Sequence, residues 1–167
     1  MDALVAAGAS VQITATKRPA ERAYLMHYAW CIWKDWKSTT AANIPAFVPQ
    51  AGESPVDIQW LHRTPSGQPD LAASKNAAHQ MVMGFSISNL HVPPALRSNH
   101  IAGKALDMVI SWSGTLSIKD NAGAIKTIAT SPRNGTNQQL ISVGKSYGVY
   151  HLVNVMADPP HWSYNGH

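Results

Sequence analysis

Ser98-Asn99-His100-Ile101-Ala102-Gly103-Lys104-Ala105-Leu106-Asp107 is the stretch from which the rest of the chain is read. It offers an imidazole and a carboxylate seven positions apart. Gly103 between them permits a tight turn. From residue 105 to 113 the letters alternate, with Leu106, Met108, Ile110 and Trp112 on one side and Asp107, Val109 and Ser111 on the other. That alternation predicts a core strand entered from a turn. Asp107 then sits in an otherwise apolar strand, where an ionised carboxylate is costly unless it is paired or binds a metal. Spacing alone leaves two readings open: a capped loop with a lone buried Asp, or half of a metal site.

A second piece stands far downstream, Asp158-Pro159-Pro160-His161-Trp162. It offers a carboxylate and an imidazole three positions apart. Two His and one Asp make a three-ligand set that suits Zn²⁺ and leaves a fourth position for water. The remaining carboxylate can then take the proton that the water must lose. Pro159 restricts Asp158 to extended backbone angles and so helps to fix its carboxylate beside His161.

The 167 residues fit one domain, and a hydrophobic content of 45% is that of a folded chain. Thirteen Lys and Arg against nine Asp and Glu give a net charge of +4, which favours anionic partners. No Lys/Arg-rich run marks a nucleic-acid footprint, and no apolar run reaches membrane-spanning length. Residues 1–8 lack a basic start and a long apolar core, so they do not read as a signal peptide. Cys31 is the single cysteine, which excludes an internal disulfide and a Cys-based zinc cluster. Its Trp- and Ile-rich surroundings predict a buried, inert thiol.

Along the chain, residues 11–16 alternate as a strand. Pro19 is placed as the first residue of a helix reaching about Trp36, with Leu25, Tyr28, Ile32 and Trp36 at helical spacing. Residues 38–69 form a Pro-rich loop, with Val56 to Trp60 as a short edge strand within it. A helix capped by Asp70 runs to about Met83, with Leu71, Ala78, Met81 and Val82 inward. Residues 115–118 and 124–128 read as a hairpin, 134–147 as a helix ended by Gly148, and 149–155 as a last strand delivering Asp158 and His161. Mixed helices and strands without βαβ regularity predict an α+β fold with an antiparallel sheet.

The pattern S-x-H-x-x-G-x-A-x-D followed downstream by D-x-x-H-W resembles the zinc D-alanyl-D-alanine carboxypeptidases and dipeptidases and the related phage endolysin peptidases. Their fold is shared with the Hedgehog signalling domain. The resemblance implies a Hedgehog/D-Ala-D-Ala peptidase-like fold, a central antiparallel sheet packed with helices, over residues 1–167. It implies that His100, Asp107 and His161 bind zinc and that Asp158 is the general base. Most carboxypeptidases of the family carry Glu at that place, and some endolysin members carry Asp in a D-x-P-H setting, which shifts the reading toward an endopeptidase-like branch. An Arg ending the first strand, usually within S-G-Y-R-S, has its counterpart in Ala15-Thr16-Lys17-Arg18-Pro19. Arg18 would face the scissile carbonyl or a substrate carboxylate; otherwise it is a solvated Arg beside Lys17 and Arg22.

Around this set, Ser98 either hydrogen-bonds behind a ligand or caps a turn. Trp162 either walls the site or packs in the core. His62, in the Pro-rich loop, is a candidate substrate contact. His27 reads as a surface or satisfied histidine, and His151 as core. The expectation is a zinc metallopeptidase acting on peptidoglycan stem peptides or cross-links as a D,D- or L,D-carboxypeptidase or endopeptidase. It would act in the bacterial cell wall or periplasm after phage-assisted release or secretion-system delivery. As a secreted toxin it would have a cognate immunity protein as partner. The alternative is a catalytically silent, zinc-containing wall-binding or protein-interaction module on the same fold.

Overall fold

Helices and antiparallel strands are mixed along the chain in the computed structural model, which describes residues 1–156 and 158–167. An unpredicted short helix, α1 (Asp2–Ala6), precedes β1 (Ser10–Ala15). Then follow α2 (Ala20–Lys34), α3 (Leu71–Gly84), β2 (Ala105–Ser111), β3 (Leu116–Lys119), β4 (Ile125–Ile128), α4 (Gln138–Ser146), β5 (Tyr150–His151) and β6 (His161–Ser163). The fold is α+β with open antiparallel sheets. The chain divides into two compact units, one of residues 1–18 and 99–167, the other of residues 19–98.

The first unit holds a four-stranded sheet in the order β1-β2-β6-β5. Its register sets Leu106 opposite Trp162 and Asp107 opposite His161. Because successive side chains leave opposite faces of a strand, Leu106, Met108, Ile110 and Trp162 share one face and Asp107 and His161 the other. The apolar face packs with Leu4, Leu116, Ile118, Leu140 and Val143 into the core. A cavity of about 330 Å³ lies within that apolar side, lined by Leu4, Leu106, Met108 and Trp162 among others. The polar face carries the candidate site. β3 and β4 form a separate two-stranded hairpin.

Three expectations are corrected in this unit. The predicted strand over 149–155 pairs only at Tyr150–His151, and His161 lies in a strand of its own. β6 is three residues long, so β5 has only that length to pair with, and Val153 is exposed. β2 stops at Ser111, with Trp112 bonded out to the Arg133 carbonyl. The helix expected from 134 starts at Gln138, because Asn137 caps it by accepting from the Gln139 and Leu140 amides.

In the second unit α2 packs on α3. Ala29, Trp30, Ile32, Ala78 and Val82 are buried there. Pro19 stands as the cap of α2 rather than its first residue, and the helix ends at Lys34 with Asp35 left-handed. The buried face of α2 is broader than the predicted stripe, taking in Ala23, Tyr24, Met26 and Trp30, with Leu25 and Tyr28 only half-buried. Asp70 caps α3 through the Ala73 amide at 2.8 Å, as expected, whereas Leu71 in its first turn is exposed. Val56 to Trp60 forms no strand. Tyr24 instead pins this segment: its hydroxyl donates to the Pro45 carbonyl at 2.8 Å and accepts from the Trp60 indole at 3.1 Å. Cys31 is buried, and burial pushes its thiol up to about 11. Among the described residues no helix is long and apolar enough to cross a membrane.

Candidate metal centre

His100 lies in a loop closed at its neck. The Lys104 amide donates to the Asn99 carbonyl at 2.7 Å, and Gly103 takes the left-handed angle that the turn needs (φ +68°). The Gly103 amide and the Arg18 amide both donate to the His100 carbonyl, at 3.2 and 3.1 Å. The loop is thereby fastened to the end of β1. Asp107 comes from β2 and His161 from β6, directly across the ladder. Two adjacent strands and one tied loop thus supply three side chains from positions 7 and 54 residues apart.

Their atoms converge. His100 Nε2 lies 3.1 Å from Asp107 Oδ1 and 3.2 Å from His161 Nδ1, and the third edge, His161 Nδ1 to Asp107 Oδ1, is 3.3 Å. Both imidazoles are buried, and Asp107 Oδ1 is buried without a hydrogen bond.

The outer partners of the rings decide which inner atoms carry protons. His100 Nδ1 meets the Thr16 carbonyl at 3.0 Å, and His161 Nε2 meets the His167 main-chain oxygen at 3.2 Å. A carbonyl only accepts, so each outer nitrogen holds the N–H. In the neutral rings both inner nitrogens then present lone pairs, facing each other and a carboxylate oxygen. A proton on one ring would close one edge of this triangle and leave the opposite lone pairs opposed. A cation at the centre satisfies all three. The His100, Asp107 and His161 group can therefore hold a metal ion.

The remaining candidates are placed as follows. Asp158 is half-buried in a turn in which its carbonyl accepts from the His161 amide at 3.1 Å, and its carboxylate is not one of the three converging groups. Arg18 is bound through its backbone to His100 and keeps a half-exposed side chain. Trp162 is buried in the apolar core, with its ring edge-on to His151 at 4.9 Å. His151 is buried, with Nε2 2.7 Å from the Pro159 carbonyl. Ser98 and His62 belong to the second unit. Ser98 is half-buried; the His62 amide donates to Ser74 Oγ at 2.9 Å and its carbonyl accepts from the Asp70 amide. His27 Nδ1 lies 2.7 Å from the Pro94 carbonyl, a satisfied histidine as expected.

Sequence reasoning missed Asn99, Asn165 and the His167 main-chain oxygen, which form a hydrogen-bonded set behind the His161 imidazole. Asn99 lies inside the quoted motif, yet at a position where the pattern allows any residue. Comparison with protein-family models, with curated proteins and with solved structures finds no match.

Proposed function

We propose that the protein is a zinc-dependent peptidase that hydrolyses amide bonds in peptidoglycan stem peptides or cross-links, on the fold common to D-Ala-D-Ala peptidases and the Hedgehog domain. The observation that carries the reading is the triangle of inward lone pairs. Zinc takes nitrogen and oxygen ligands at about 2.0–2.1 Å in a tetrahedron, whose edge is then roughly 3.3–3.4 Å. The three edges here are 3.1, 3.2 and 3.3 Å. Three protein ligands also leave the open fourth position of a catalytic rather than a structural site.

A zinc ion held there supplies a Lewis acid that lowers the pKa of a water toward roughly 7. The chain's own groups do the rest. The Thr16 and His167 oxygens keep both imidazoles in the tautomer that ligates. Asp158, turned back next to His161, accepts a proton as the amide carbon is attacked and returns it to the leaving amine. Arg18, fastened to His100, presents its guanidinium to the oxyanion or to a substrate carboxylate. A net charge of +4 suits a peptide rich in carboxylates. Delivery to the wall by phage lysis or by a secretion system fits the same chemistry, with an immunity protein as partner in the second case.

Digestion of purified peptidoglycan, with the released muropeptides read by mass spectrometry, tests the reading. Products that vanish with chelator and return with Zn²⁺ are expected, and their masses identify the bond. No products from zinc-loaded protein would turn the reading to a silent binding module.

A further inference from the structure

The oxygen that orients His161 belongs to no helix or strand. It is the main-chain oxygen of His167, and the tail that carries it is folded back on itself. Ser163 Oγ accepts from the Gly166 amide at 2.9 Å and the His167 amide at 3.2 Å, and its hydroxyl reaches Asn165 Oδ1 at 3.4 Å. The Gly166 carbonyl accepts from the Val153 amide at 3.1 Å. Gly166 is left-handed (φ +77°), and a Cβ there would stand 3.0 Å from the His151 carbonyl, so any other residue would be strained in this turn.

Asn99 holds this tail. One N–H of its side-chain amide goes to Asn165 Oδ1 at 2.8 Å, and the amide also donates to the His167 main-chain oxygen itself. Asn99 is the neighbour of the ligand His100. The residue beside one ligand thus fixes the oxygen that fixes the other, across 61 positions of sequence. Partners behind a ligating imidazole set its ring angle and tautomer, and their loss weakens metal binding about 10–100-fold.

We propose that Asn99 and Asn165 are positioning residues, and that with the Ser163–His167 tail they form a clamp that sets His161 for metal binding. The inference rests on the metal-binding part of the function proposed above and is independent of the bond cleaved. The clamp has a polarity: within it the Asn99 side chain acts only as donor and Asn165 Oδ1 only as acceptor.

The test is the zinc dissociation constant of the full chain, measured by competition with a chromogenic chelator, alongside the visible absorption of the Co²⁺-loaded protein. Asn99→Ala and Asn165→Ala should each weaken zinc binding about 10–100-fold and alter the Co²⁺ bands. Asn165→Asp keeps the acceptor and should restore affinity to within about threefold of wild type. Circular dichroism of the metal-free variants checks that they fold. Should Asn99→Ala misfold, the Asn165 pair carries the test alone, because residue 165 is exposed. Alanine variants that bind zinc as wild type does, or an Asn165→Asp variant as weak as Asn165→Ala, would overturn the clamp and leave the metal centre standing. A wild-type chain that binds no zinc would overturn both.

Discussion

In the proposed peptidase, Asp158 is the residue at which metal binding and hydrolysis separate. Its carboxylate stands outside the converging group while its backbone is hydrogen-bonded to His161. Asp158→Ala should therefore retain one zinc, by metal analysis after dialysis, and lose about 10²–10⁴-fold in muropeptide release. His161→Ala should lose both. An Asp158→Ala variant with full activity would contradict the assignment. The converging His100, Asp107 and His161 were legible in sequence because their side chains carry the chemistry and the spacing of the first two matches a turn entering a strand. What orients them was not legible. The Thr16 and His167 groups act through main-chain oxygens, which every residue possesses, so no letter marks them.

At the scale of elements, β6 holds His161 on one face and Trp162 on the other, so core packing and the candidate metal centre share a strand. α4 presses on that strand at Gly144, where an added Cβ would lie 2.6 Å from Trp162 Cζ3. Gly144→Ala should cost about 1–3 kcal/mol in urea unfolding, since the ring must shift in a packed core. It should also weaken zinc binding by moving β6; unchanged stability and affinity would show that Trp162 has room to move. In α2, burial holds the Cys31 thiol at about 11 against 9.0 for the free group. A folded pKa above the unfolded one means that the native chain keeps a proton that the unfolded chain loses. This contribution to stability is complete below pH 9 and declines between pH 9 and about 11. An alkylating reagent at pH 8 should accordingly label Cys31 only in denaturant. α3 was readable from its Asp70 cap. The last strand was misread because alternation signals a half-buried strand without saying whether a partner of equal length exists, and β6 offers three residues.

For the whole molecule, the opposed lone pairs would make a metal held between them a contributor to stability. A ligand present at 1,000 times its dissociation constant adds about 4 kcal/mol. For a chain of this length each kcal/mol corresponds to roughly 2–4 °C in Tm. Zinc-loaded protein should therefore melt well above protein treated with chelator, and identical melting would argue against a metal in the centre. The α+β class followed from composition and periodicity. The division into two units did not, because the long Pro-rich stretch carries no periodic pattern and is pinned by contacts such as Tyr24 to Pro45 that no spacing announces.

The most direct measurement is a titration of metal-stripped protein with Zn²⁺, following muropeptide release from peptidoglycan at each addition. Release should rise in proportion to zinc and level off at one equivalent. Release that is already complete in stripped protein, or that stays absent with one zinc bound, would contradict a single catalytic zinc held by His100, Asp107 and His161.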